Sequence, residues 1–228
     1  KTINILGGNA LSEFEMTTGT IDDIATDQTI DASTFSGFVE LNLATEAFDS
    51  SLTIKGGAAT TDQVTTIIAD EDNKIASMTG IETLVVNSTD SDTSASIDLT
   101  NVTGLTTVSA KFTTGTNADQ IEIDKLPAGT NVKLTSTHAT ADVLDLGAAD
   151  ASTTTTAVTV EVTSMASTTS TVDIDAAGVE TFTLYNKAGA ATNTFDLAGV
   201  TPTTDSKTKI VVTGVGANLK SLDTNVDT

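Results

Sequence analysis

The 228-residue chain has no Cys, no Trp and only 4% aromatic residues, too few large rings or crosslinks for the centre of a compact two-sheet sandwich. Its 31 Asp and Glu against 10 basic residues, every one a Lys, set a formal charge of −21. That charge repels nucleic-acid backbones and anionic lipid, excludes both as partners, and makes a metal cation the natural one.

Helical periodicity is nearly absent, while alternation with a period of two recurs along the whole length. The chain opens on a strand-like run at residues 2–6, TINIL. Residues 11–29 read as an irregular loop. The expected division is therefore a strand and cap over 1–28, then a repeat domain over 29–228. Within it, strands are expected at 38–44, 52–55, 63–69, 82–87, 96–100, 106–112, 120–124, 131–135, 143–146, 158–162, 172–175, 180–185, 194–197, 209–213 and 219–223. They are rich in Val, Ile and Thr, which suit a pleated surface better than a helix. Residues 61–77 are the one stretch with helical potential, and their β-branched content argues against it. The two prolines, Pro127 and Pro202, fall in polar turns, where a missing N–H does least damage to a ladder.

One phrase recurs. Residues 96–110, SIDLTNVTGLTTVSA, align without a gap on residues 29–43, TIDASTFSGFVELNL. Ile30 matches Ile97, Asp31 matches Asp98, Gly37 matches Gly104 and Leu41 matches Val108. The second half returns at Gly80-Ile81-Glu82-Thr83-Leu84 and at Gly178-Val179-Glu180-Thr181-Phe182. Glycines that precede an alternating run fall at 37, 57, 80, 104, 129, 178 and 199. By subtraction the steps are 20, 23, 24, 25, 49 and 21, the long one being two units with a mark missing near residues 151–155. An all-β chain with a repeat of roughly 20–25 residues is expected to form a parallel β-helix, or β-solenoid, each repeat being one rung. The alternative is two antiparallel β-sandwich domains.

An Asp closes the first run of successive units, at Asp31, Asp98, Asp124, Asp145, Asp175 and Asp196. Stacked rungs would bring such carboxylates to about 5 Å, a repulsion of roughly 3 kcal/mol at an effective dielectric near 20. An Asx turn relieves it by bonding each carboxylate to turn amides. A cation between them is the other escape, and calcium suits irregular carboxylate and carbonyl sites. The candidate metal ligands are Asp70, Asp72, Asp90, Asp92, Asp98, Asp124, Asp145, Asp173 and Asp175. None follows the EF-hand order of ligands.

No catalytic constellation stands out. His138 is the only histidine, in a polar turn without a Ser, Cys or acidic triad signature nearby. One Tyr and no Trp give poor platforms for sugar, which argues against a β-helical polysaccharide-degrading enzyme. Gly56-Gly57 lacks the Lys-Ser/Thr that cradles phosphate. The expectation is no enzyme, no catalytic residue and no organic cofactor.

Residues 97–108, IDLTNVTGLTTV, and Gly80-Ile81-Glu82-Thr83-Leu84-Val85-Val86, set in an acidic, Cys-free, Ala- and Thr-rich background, resemble the repeated units of Gram-negative surface-layer (S-layer) proteins. The resemblance covers most of the chain from about Thr29 onward, and large secreted adhesins share its texture. It implies export without a cleaved leader, an extracellular place on the bacterial surface, use of calcium, and self-assembly with lattice neighbours. It also leaves room for a cell-surface polysaccharide held by parts outside this chain. The glycine-rich calcium nonapeptides of repeat rolls are missing, and both ends read as cut from a longer polypeptide.

Overall fold

The structure is a computed structural model and describes residues 2–17, 28–43, 50–68, 73–88, 94–112, 120–136, 142–148, 157–165, 171–188, 193–201, 208–214 and 217–222. The described regular elements are all strands. The chain starts with β1 (Thr2–Asn4) and β2 (Glu13–Thr17), β3 (Thr29–Asp31) and β4 (Phe38–Leu43), and β5 (Thr53–Lys55) and β6 (Gln63–Ile68). Triplets follow: β7 (Asn73–Lys74), β8 (Ser77–Thr79) and β9 (Thr83–Ser88), then β10 (Ser94–Asp98), β11 (Val102–Thr103) and β12 (Thr107–Phe112). Next come β13 (Gln120–Leu126) and β14 (Asn131–Ser136), β15 (Asp142–Ala148) and β16 (Ala157–Met165), and β17 (Thr171–Ala177) and β18 (Thr181–Asn186). The last are β19 (Asn193–Leu197), β20 (Val200–Thr201), β21 (Lys209–Gly214) and β22 (Ala217–Leu222).

Every described pairing is parallel, and every partner lies one rung away. The fold is a β-solenoid, and the antiparallel alternative is excluded. Three sheets run along it: one of nine strands (β2-β4-β6-β9-β12-β14-β16-β18-β21), one of eight carrying β7, β10, β13, β15, β17, β19 and β22, with β20 beside β17, and one of five (β1-β3-β5-β8-β11). In the nine-stranded sheet one register column reads Met16, Leu41, Val64, Leu84, Val108, Val132, Val160, Leu184 and Val212. Subtracting residue numbers gives rungs of 25, 23, 20, 24, 24, 28, 24 and 28 residues, so two of the last three exceed the expected 20–25.

Alternation explains the core. Odd and even residues of each strand face opposite ways, and the inward set is aliphatic. Ile30, Ile54, Met78 and Val102 stack in the five-stranded sheet, and all four are buried. Ile97, Ile123 and Leu146 stack in the eight-stranded one. Where a ring enters, its neighbours shrink: Phe112 lies between Ser88 and Ser136. Corners repeat a glycine followed by an apolar residue. Gly80, Gly104 and Gly178 have φ of 65°, 95° and 74°, a region that costs other residues. The residues after them, Ile81, Leu105 and Val179, turn inward and are buried.

One expectation needs correction. Residues 11–29 are not irregular throughout, because Glu13–Thr17 is a strand that pairs with β4, its Phe14 and Met16 alternating with Glu13 and Glu15. The strand expected at 63–69 is found as Gln63–Ile68, and the helical potential of 61–77 is not realised in the described part, where Asn73–Lys74 is also a strand. Val64, Thr66 and Ile68 at alternate inward positions reward a strand there. The expected missing mark near residues 151–155 lies outside the described residues.

Gly56 and Gly129 separate two demands on glycine. A Cβ on Gly56 would stand 1.7 Å from the Gly80 carbonyl oxygen of the next rung, whereas one on Gly129 would meet nothing within 4 Å. Gly56→Ala should therefore cost about 3 kcal/mol through backbone displacement. Gly129→Ala, which pays only for a positive φ, should cost about 1–2 kcal/mol. Urea unfolding of the two variants checks the order, and equal losses would contradict the rung spacing.

Candidate functional site

The outer face of the eight-stranded sheet gathers carboxylates because its strands alternate Ile or Leu inward with Asp or Glu outward, as in Ile121-Glu122-Ile123-Asp124. Register sorts them into three rows. One runs Lys74, Asp98, Asp124. A second runs Glu122, Asp145, Asp175. A third runs Val143, Asp173, Asp196. Some of the six Asp residues expected to approach across rungs do so, Asp98 against Asp124 and Asp145 against Asp175. Asp31 belongs to the five-stranded sheet, in register with Asn4 and Lys55, and the rest divide among neighbouring rows.

Some of these carboxylates find local relief. Lys74 Nζ lies 2.6 Å from Asp98 Oδ2, and the Thr100 backbone N–H and hydroxyl donate to Asp98 Oδ1. Partial burial raises the Asp98 pKa, but the lysine and threonine outweigh it and leave it at about 2. Asp31 repeats the device with Lys55 at 2.8 Å and two bonds from Ser33, and these hold its pKa at about 2. Asp124 and Asp175 use space instead. A methyl on Gly147 would stand 2.8 Å from Asp124 Oδ1, and one on Gly199 would stand 1.5 Å from Asp175 Oδ1. Gly199 is therefore a seat for a carboxylate, not the corner mark its spacing suggested.

What remains is unrelieved charge. Burial and the Asp124 carboxylate push the Asp145 pKa up, against one bond from the Leu146 N–H. Burial, then Asp145 and Asp196, do the same to Asp175. Asp70, Asp72, Asp90 and Asp92 lie outside the described residues, as does His138. Asp98 is taken by its ion pair, while Asp124, Asp145, Asp173 and Asp175 share one face. Among the described residues no three or more His, Cys, Asp or Glu side chains come together so as to hold a metal ion.

Sequence reading missed a second set of acids, inside a corner. Asp62 is fully buried and takes the Val39 N–H at 2.9 Å and the Gly57 N–H at 2.6 Å. Its own N–H donates to Glu82 Oε2 at 2.9 Å, and the Glu82 carbonyl accepts from the N–H groups of Thr106 and Thr107. Carboxylates here replace ladder bonds that a corner would otherwise lose. Burial pushes both pKa values up, partly opposed by those amide bonds. In the middle of the chain Ser136 donates to buried Asp142 at 2.6 Å. The inward phase of Asp62, two residues before Val64, is the signal that marks it.

No family model, curated protein or solved structure matches this chain. Function is read from the geometry alone.

The two classes of carboxylate titrate with opposite effects. Asp62, Glu82, Asp145 and Asp175 have raised pKa values, so the folded state binds their protons more tightly and gains stability as pH falls from 7. Asp31 and Asp98 are lowered from 3.8 to about 2, so their contribution is present above 3.8 and is lost as pH falls through about 2. The melting temperature should rise from pH 7 to a maximum near about pH 4 and fall below it. Circular dichroism melts across that range test this. In an Asp145→Asn, Asp175→Asn double variant the rise should shrink, and an unchanged slope would contradict the repulsion.

Proposed function

We propose that this chain is a structural segment of a bacterial surface layer, an extracellular scaffold that joins copies of itself with the help of calcium. The observation that carries the reading is the unbroken parallel stack with one heavily acidic face. Such a stack is a stiff, extended body whose core repeats along one axis, a form suited to spanning and tiling. At a charge of −21 free copies repel one another, and a divalent cation spread over the rows of Asp and Glu lowers that barrier. The cation acts here by screening and bridging faces, without a dedicated cage.

A non-catalytic role is supported by how the polar interior is used. Asp62, Glu82 and Asp142 spend their oxygens on backbone amides or a serine hydroxyl of adjacent turns. A second reading, the stalk of a large secreted adhesin, draws on the same fold and differs in one property: a stalk stays monomeric. Attachment to a cell-surface polysaccharide, where it occurs, belongs to parts outside this chain. Nucleic acid and membrane insertion are disfavoured by the charge.

Light scattering and negative-stain microscopy, with EDTA and with calcium, separate the readings. The surface-layer role predicts monomers in EDTA and sheets in calcium. A monomer in both buffers at high concentration would favour the stalk.

A further inference from the structure

The two long sheets carry opposite charge on their outer faces. From β13 on, each rung gives one strand to the eight-stranded sheet and one to the nine-stranded sheet. Their inward side chains, such as Ile123 and Val132, share one core, so the outer faces look away from each other. The eight-stranded face carries the acid rows, with Glu122, Asp124, Asp145, Asp173, Asp175 and Asp196. On the nine-stranded face the outward charged residues of β6 to β21 are Lys111, Lys133, Glu161 and Lys209. Glu161 is answered by Lys187, just past β18, at 2.8 Å. Lys111, Lys133 and Lys209 make no ion pair among the described residues. Four of the chain's ten lysines therefore stand on the side away from the acid rows.

The surroundings of these lysines favour a broad contact. Gln63, Thr83, Thr107, Asn131, Thr159 and Thr183 form one register row of uncharged side chains across successive strands. Lys133 and Lys209 are exposed on either side of it. The outward acids Glu13, Glu15 and Glu40 lie on β2 and β4, on rungs before the eight-stranded sheet begins, among the described residues, at β7. Both faces repeat at the same rung spacing, about 4.8 Å. Two copies lying side by side with their rungs level therefore hold a match along the stack and not at one point.

We infer that the lysine-bearing face of the nine-stranded sheet docks on the acidic face of the eight-stranded sheet of a second copy, side by side and rung for rung. Level rungs bring Lys133 to the strand of Glu122 and Asp124, because β13 and β14 share a rung. They bring Lys209, on β21, to Asp196 on β19. Charge selects this pairing, since either face repels its own kind. The two surfaces differ and lie on opposite sides of the core, so the contact is heterologous and repeats into an open row. The acids outnumber the lysines that meet them, and the divalent cation offsets the surplus. This contact rests on the self-assembly proposed above and supplies its partner surface.

Sedimentation velocity of the full chain in calcium buffer tests it, with circular dichroism melts confirming that each variant folds. Lys133→Glu and Lys209→Glu each set like charge against the acid rows and should weaken association about tenfold or more. Lys133→Arg keeps the charge and should associate as the unaltered chain does. Ala58→Glu,Thr103→Glu adds as much negative charge as Lys133→Glu, at exposed positions on the side of the five-stranded sheet, and should have little effect. Equal weakening by that control would mean that bulk charge alone governs association, and would overturn the docking faces. Carbodiimide crosslinking of mixed isotope-labelled and unlabelled chains should join Lys133 of one copy to Glu122 or Asp124 of another. Assembled chains without such links would overturn the rung-for-rung contact. Lysine variants that assemble as tightly as the unaltered chain would overturn it too, while leaving self-assembly standing. An unaltered chain that stays monomeric in calcium would overturn both.

Discussion

The structure depends on one constraint: each rung satisfies its backbone amides on the rungs directly before and after it. Parallel in-register bonding of this kind places residue i against the residue one rung onward, and nothing else. A side chain's neighbours along the axis are therefore fixed by period alone. Aliphatics over aliphatics give columns such as Leu41, Val64, Leu84 and Val108, and their burial drives the stack. A bulky ring must find small neighbours, as Phe112 does between two serines.

The same geometry makes charge a problem and then limits it. Outward carboxylates on successive rungs are forced toward one another, and the chain answers in three ways. Lysines stand one rung away, at Lys55 and Lys74; glycines leave room, at Gly147 and Gly199; and buried acids bond turn amides, at Asp62. Asp145 and Asp175 are left raised, a residue of repulsion that protonation relieves. In the proposed surface-layer role, this acidity would be a brake on association.

Much of this was legible in the chain. Alternation located the strands over 38–44 through 219–223, the marking glycines supplied the period, and the ungapped phrase at 29–43 and 96–110 showed the repeat. The structure places Leu41 and Val108 in one column, as the phrase requires. It also gives Asp31 and Asp98 the same Asx turn, yet on different sheets. A turn is a local device, and it recurs wherever a corner needs it, so identical words did not mean identical places on the solenoid. The lysine partners were within reach, since Lys55 follows Asp31 by 24 residues and Lys74 precedes Asp98 by 24, one rung in each case. Glu13–Thr17 escaped because its alternation of Glu13 and Glu15 with Phe14 and Met16 is short and is followed by polar residues without a further apolar partner in phase. Asp62 escaped because its inward phase, two residues before Val64, marks it only when an acid is allowed a place inside, bonded to turn amides.

In-register parallel stacking is tested most directly by nuclear magnetic resonance of the isotope-labelled chain, through backbone contacts between neighbouring strands. Parallel rungs require contacts in which the difference of residue numbers stays constant, 24 for Thr83 with Thr107, Val85 with Ser109 and Asn87 with Lys111. Contacts in which the sum of residue numbers stays constant instead would mean antiparallel strands, and the solenoid and its acidic rows would both be contradicted.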